Sequence, residues 1–182
     1  MRAFLGLPLP VAWADPLMRV QRHLPGGRPV PEENLHLTLL FLDDQPQDRL
    51  QLLDDILRDT PIPPVELTPL AFAPLGSKTP RAVVLDVVRT DTLVALRDTA
   101  RRAARQAGIA LSKDRLRPHI TLTRYSGTAP ADYTRLQGAL ARLGAPDLSA
   151  AMAHPVTLWS STLTPEGPIY DALATYGAEE WT

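Results

Sequence analysis

The chain has 182 residues, 45% of them hydrophobic, with 19 Lys and Arg against 20 Asp and Glu for a formal net charge of -1, and no cysteine. Disulfides, thiolate nucleophiles and Cys-ligated zinc or iron–sulfur sites are thereby excluded, and the near-neutral balance argues against a protein that lives on unspecific phosphate contacts. The length suits one compact unit, a single domain over residues 1–182.

No apolar run approaches the roughly 20 residues that span a bilayer. The opening stretch is too soon broken by Pro8 and Pro10 for a secretory leader, so a cytoplasmic protein without a membrane partner is expected. In chain order, a strand is predicted over residues 2–7, then a helix over 11–24 whose apolar spacing of Val11, Leu17, Val20 and Leu24 is interrupted by Pro16, which predicts a late start. His23 ends that helix, where the dipole favours a cation. A Gly26-Gly27 turn leads to a strand over about 35–42, and Pro46 opens an amphipathic helix with Leu50, Leu53, Ile56 and Leu57 on its apolar stripe. Strands follow over about 65–73 and 81–88, then a helix over about 92–107 ended by Gly108. Arg97, Arg101, Arg102 and Arg105 of that helix are expected to form a solvated face. A further strand carrying His119, a helix over 133–143, and two strands over about 156–163 and 169–173 joined by Thr164-Pro165-Glu166-Gly167 complete the chain. His154, before Pro155, falls in a loop.

Two copies of one tetrapeptide stand out: His36-Leu37-Thr38-Leu39, and 83 positions later His119-Ile120-Thr121-Leu122. On a strand, residues i and i+2 share a face, so each His pairs with its Thr while the aliphatic residues face the other way. A lone histidine is most often an ordinary hydrogen-bonded strand residue, but core packing has no reason to select the same polar pair twice. The motifs occupy comparable places in the two halves. An α+β fold is expected in which two lobes each contribute an antiparallel sheet with helices outside, the two His-x-Thr faces meeting across a central cleft.

Imidazole, with an ordinary pKa of about 6.5, can serve as acid or base at neutral pH. Hydrolysis of a phosphodiester requires both, one to take a proton from the attacking water and one to give a proton to the departing alkoxide. Thr38 and Thr121 can hydrogen-bond phosphate oxygens, and Arg124 can supply positive charge. On an ideal strand Arg124 has the wrong parity to join His119 and Thr121, so it needs a bend. Metal binding is poorly supported: neither motif offers a carboxylate or second His at i+2 or i+4, and no metal or other cofactor is expected.

These words also resemble a family. The paired His-x-Thr-Leu motifs look like those of the 2H phosphoesterase superfamily, and Arg2-Ala3-Phe4-Leu5-Gly6-Leu7-Pro8-Leu9-Pro10, Asn34-Leu35-His36-Leu37-Thr38-Leu39-Leu40-Phe41-Leu42, Arg81-Ala82-Val83-Val84-Leu85, Arg117-Pro118-His119-Ile120-Thr121-Leu122-Thr123-Arg124 and Leu158 to Tyr170 resemble its RNA 2',3'-cyclic phosphodiesterase (2'-5' RNA ligase) branch. The resemblance implies a pseudo-duplicated bilobal fold and metal-independent opening of an RNA 2',3'-cyclic phosphate end to a 2'-phosphate, with reverse 2'-5' ligation by microscopic reversibility. It implies His119 as base and His36 as acid, with Thr38, Thr121 and Arg124 holding phosphate. Phe41 and Tyr170 would line a base or ribose pocket, Phe41 being equally readable as a core residue. The family commonly has Gly where this chain has Asp43, which can serve as a turn residue, and a smaller aromatic where it has Trp159. The expected partner is an RNA end or a nucleotide, bound by a monomer. Alternatives are a 2H phosphodiesterase acting on a small cyclic or 2',5'-linked nucleotide, and a non-catalytic RNA- or nucleotide-binding module.

Overall fold

The computed structural model describes residues 1–76, 79–126 and 132–177. Among the described residues, ten strands and four α-helices follow one another as β1 (Arg2–Pro8), α1 (Val11–His23), β2 (Arg28–Pro29), β3 (His36–Asp44), α2 (Gln47–Arg58), β4 (Val65–Leu67), β5 (Pro69–Leu75), β6 (Ala82–Val87), α3 (Asp91–Gln106), β7 (His119–Arg124), α4 (Tyr133–Leu143), β8 (Ala151–Ala153), β9 (Val156–Thr164) and β10 (Gly167–Tyr176).

Where the sequence predicts two sheets facing each other, the strands form one antiparallel sheet of order β10-β9-β1-β3-β7-β6-β5, with β2 also on β7, beside a small β4-β8 pair. The two motif strands are neighbours in it, joined through the single register pair Leu37↔Ile120. Joining them covers two strand edges that separate sheets would leave with unpaired N–H and C=O groups. The two lobes are thus the two flanks of one seam. Leu37, Leu39, Ile120 and Leu122 are all buried on the helix-covered face, where α3 meets β3 and α1 meets β7. The alternate residues of both motifs are left for the other face.

Several local expectations change. α1 starts at Val11 and runs through Pro16. A proline this near the start removes one intrahelical hydrogen bond, and burial of Trp13, Leu17 and Gln21 holds the turn. The strand expected over 65–73 is two strands in different sheets, β4 pairing with β8 and β5 with β6. The solvated-face expectation fails for Arg97, which is 8% exposed. Its Nε donates to the Leu39 carbonyl of β3 at 3.0 Å, its terminal nitrogens to the Asp114 carbonyl at 3.3 and 3.2 Å, and it pairs with the Asp114 carboxylate at 3.3 Å. Arg101 joins the same carboxylate at 3.9 Å, while Arg102 and Arg105 do face solvent. Arg97 thus ties the strand of the first motif to the segment leading into the second.

Candidate active site

The two motif strands share a departure from ideal alternation. In β3, Gly6 of β1 pairs with Thr38 and Leu5 with Leu40, so Leu39 is an extra residue. In β7, Val84 of β6 pairs with Thr121 and Val83 with Thr123, so Leu122 is extra. A one-residue bulge shifts every later side chain by one face. After the first bulge Leu39 and Leu40 are both buried and Phe41 turns out, 58% exposed. After the second, Leu122 and Thr123 are both buried and Arg124 turns out. The bulge supplies the bend that Arg124 requires, and it decides Phe41 for the open face over the core.

Gln21 of α1 fastens the second bulge. Its buried amide donates one hydrogen to the Leu122 carbonyl at 2.7 Å and one to the Val30 carbonyl at 2.8 Å. Gly27, at φ 71°, lies where a Cβ would stand 2.7 Å from the Thr123 methyl and 2.9 Å from the Arg124 carbonyl, so only glycine lets the β2 turn settle there. Gly6 plays a similar part in β1: a Cβ would stand 2.7 Å from the Leu37 carbonyl.

All seven residues singled out from the sequence, His36, Thr38, Phe41, His119, Thr121, Arg124 and Tyr170, line one cleft of about 510 Å³ along the seam. Each imidazole is oriented by the carbonyl two residues before it: His36 Nδ1 lies 2.7 Å from Asn34 O, and His119 Nδ1 lies 2.7 Å from Arg117 O. A carbonyl only accepts, so Nδ1–H donates in both, and Nε2 is the free nitrogen in the neutral ring. His36 Nε2 lies 3.0 Å from the Thr38 hydroxyl, placed to accept from it. The carbonyl-bearing residues are themselves held, Asn34 Nδ2 donating to Pro168 O at 3.0 Å and Arg117 gripping Asp86 with two bonds of 3.0 and 2.9 Å. Asp86 pairs with His119 across β6 and β7.

The histidines differ in setting. His36 sits against an aromatic wall of Phe4, Trp159 and Tyr170, with ring centroids 4.8, 5.6 and 5.3 Å away. Trp159 stacks on Phe4 at 5.2 Å and so closes the wall. Removal from water pushes the His36 pKa down to about 4, with the charges of Arg124 and His119 adding to the shift and the Asn34 carbonyl opposing it. Both imidazoles are half-buried. Asp43 adopts φ 57° at the end of β3, the left-handed backbone that glycine adopts freely and Asp tolerates. Phe4, Asn34 and Gln21 escaped sequence reasoning because their parts depend on strands distant in the chain.

Among the described residues no group of three or more His, Cys, Asp or Glu is placed to hold a metal ion, and no helix is long and apolar enough to cross a membrane.

The model of the 2'-5' RNA ligase superfamily matches residues 8–162. The chain belongs to that superfamily. A Thermotoga maritima RNA 2',3'-cyclic phosphodiesterase is 31% identical over 151 residues, covering 81% of this chain and 78% of the relative. The Methanothermobacter thermautotrophicus RNA 2',3'-cyclic phosphodiesterase is 28% identical over 177 residues, 93% of this chain and 95% of the relative. A Thermus thermophilus crystal structure superposes with a TM-score of 0.75 at 26% identity, covering 97% of each chain. Escherichia coli LigT complexed with 3'-AMP shares the fold, with a TM-score of 0.70 at 23% identity over 96% of this chain and 95% of LigT.

Proposed function

We propose that this superfamily member hydrolyses the 2',3'-cyclic phosphate at an RNA end to a 2'-phosphate without a metal, its two flanks working as one unit. The observation that carries the reading is the convergence of two His-x-Thr pairs and Arg124 on one cleft, each imidazole with Nδ1–H committed to a carbonyl and Nε2 available for proton transfer. The similarity to RNA 2',3'-cyclic phosphodiesterases over most of the chain supports it, as does the nucleotide in LigT.

His119 takes a proton from water as the water oxygen attacks phosphorus. The P–O3' bond breaks, and His36 gives its proton to the 3' oxygen, leaving a 3'-hydroxyl and a 2'-phosphate. Thr38, Thr121 and Arg124 hold the non-bridging oxygens, whose charge grows in the transition state. His36 is neutral in the free protein at neutral pH. An anionic phosphodiester between it and Arg124 offsets the positive charges that depress its pKa, so His36 takes up its proton as substrate binds. A 2'-5' linkage arises at the same site when an RNA 5'-hydroxyl replaces water: its oxygen bonds to phosphorus and its proton passes to His119, while the P–O3' bond breaks and His36 protonates the 3' oxygen, leaving a 2'-5' phosphodiester and a 3'-hydroxyl. Phe41 and Tyr170 flank the nucleoside. No cofactor takes part.

The test is an RNA ending in a 2',3'-cyclic phosphate, incubated with the protein in excess EDTA, with the product resolved as 2'- or 3'-phosphate. A 2'-phosphate that disappears in H36A and H119A supports the reading. Undiminished turnover in the double variant, a 3'-phosphate product, or no turnover overturns it.

A further inference from the structure

Beside the cleft lies a second chamber of about 190 Å³ that shares His36, Thr121, Arg124 and Tyr170 with it. It is smaller than the roughly 300–1,000 Å³ of a whole small-molecule site, a size suited to part of a larger ligand. Its walls are Pro29, Val30, Pro31 and Pro168, with the guanidinium of Arg28 among them.

Arg28 and Arg124 are direct cross-strand partners in the β2–β7 pair. Directly opposed residues lie about 5 Å apart on one face, and like charges there destabilise a sheet. Among the described residues neither arginine has a carboxylate partner within salt-bridge distance. Among the described residues, the hydrogen bonds of the Arg28 guanidinium go to the Pro165 carbonyl, at 3.4 and 3.5 Å. A pair of cations set opposite each other at the mouth of an apolar chamber is the arrangement that anionic groups would relieve.

We infer that this chamber holds the penultimate nucleotide of an RNA end. The inference rests on the cleft being the site of the terminal cyclic phosphate. Arg124 then serves the reacting phosphate and Arg28 the next phosphodiester along the strand, while the wall of Pro29, Val30 and Pro31 receives the base. Glu166, also in the wall, offers an acceptor to an exocyclic amine and keeps further phosphate away from that side. The preferred ligand is therefore an oligonucleotide end over a mononucleotide.

The experiment is calorimetric binding at low salt of a dinucleotide 2'-phosphate and a mononucleoside 2'-phosphate to the wild type, R28Q and R28K. The wild type is expected to bind the dinucleotide about tenfold more tightly, the worth of one charge-assisted phosphate contact. That preference falls to near one in R28Q and is largely kept in R28K. No preference in the wild type, or a preference that survives in R28Q, overturns the inference. Because the readout is binding of a product, it is decided separately from turnover: a protein that shows the preference yet opens no cyclic phosphate keeps the chamber and loses the proposed reaction.

Discussion

Replacing Gln21 by Met tests whether the bulge behind Arg124 is held by that one amide. The two side chains are of similar volume, so packing changes little while two hydrogen bonds, one buried at 2.7 Å and one half-buried at 2.8 Å, are lost. The Leu122 carbonyl keeps the Val30 amide at 2.8 Å, but the Val30 carbonyl loses the side-chain donor that it faces. At about 0.5–1.5 kcal/mol net for each bond, with the orphaned carbonyl adding to the cost, the variant should be less stable by about 2–3 kcal/mol. For a chain of this size that lowers Tm by about 4–10 °C. The activity effect is separate. Without its anchor the bulge relaxes and Arg124 loses its place beside His119 and Thr121, costing about 10²-fold in kcat/KM, the scale of one lost donor to a developing anion. The assay is thermal denaturation together with kcat/KM on a cyclic-phosphate RNA for Q21M, R124A and the double variant. If Gln21 acts through Arg124, the activity losses do not add, and the double variant is no slower than R124A. A Q21M protein that loses stability but keeps full activity, or losses that multiply, refutes the reasoning.

His36 makes stability pH-dependent. Its folded pKa of about 4 lies below the ordinary value of about 6.5, so between those limits the unfolded chain binds the proton first, and stability falls as pH drops through the window. The difference corresponds to roughly 3 kcal/mol, seen in urea denaturation as a steeper loss for wild type than for H36Q between about pH 6.5 and 4; equal slopes would count against the buried imidazole. The proton-transfer roles separate on a substrate with sulfur at the 3' bridging position, since a thiolate leaves unprotonated. H36A should recover most of its rate there and H119A should not, whereas the opposite pattern exchanges acid and base. R97M removes the donor shared by the Leu39 and Asp114 carbonyls and should cost about 2–4 kcal/mol in denaturant unfolding. A loss below about 0.5 kcal/mol, ordinary for a surface change, would show that the tie carries no load.

The paired His-x-Thr faces were legible because period-two alternation is a local property: His36 with Thr38 and His119 with Thr121 could be placed on one face from four residues each. What lay beyond was set by register. The bulges at Leu39 and Leu122 depend on how β1 and β6 pair with those strands, and no residue within the motifs announces them. Two successive buried positions before Phe41 and Arg124 are their trace, yet Leu39-Leu40 and Leu122-Thr123 read equally well as continued strand. Arg97 was misplaced by its charge. Its spacing from Leu93 and Ala100 puts it on the buried stripe of α3, and the periodicity was the better guide. The two expected sheets failed for a related reason, since a repeated motif shows that two strands are alike but not that they are neighbours. Arg28 gave no signal in sequence, because a two-residue strand is visible only through its partner.

The single register pair at Leu37↔Ile120 has a mechanical consequence. His36 and His119 stand on opposite sides of the least-laddered line in the sheet, each set in a flank stiffened by long pairings, β1 with β3 and β6 with β7. Strain applied across the molecule concentrates where the fewest backbone bonds resist it, so the gap between the two imidazoles is the softest dimension of the scaffold while the aim of each ring within its flank is among the stiffest. A cleft built this way can adjust its width to what it admits without disturbing the orientation of either imidazole.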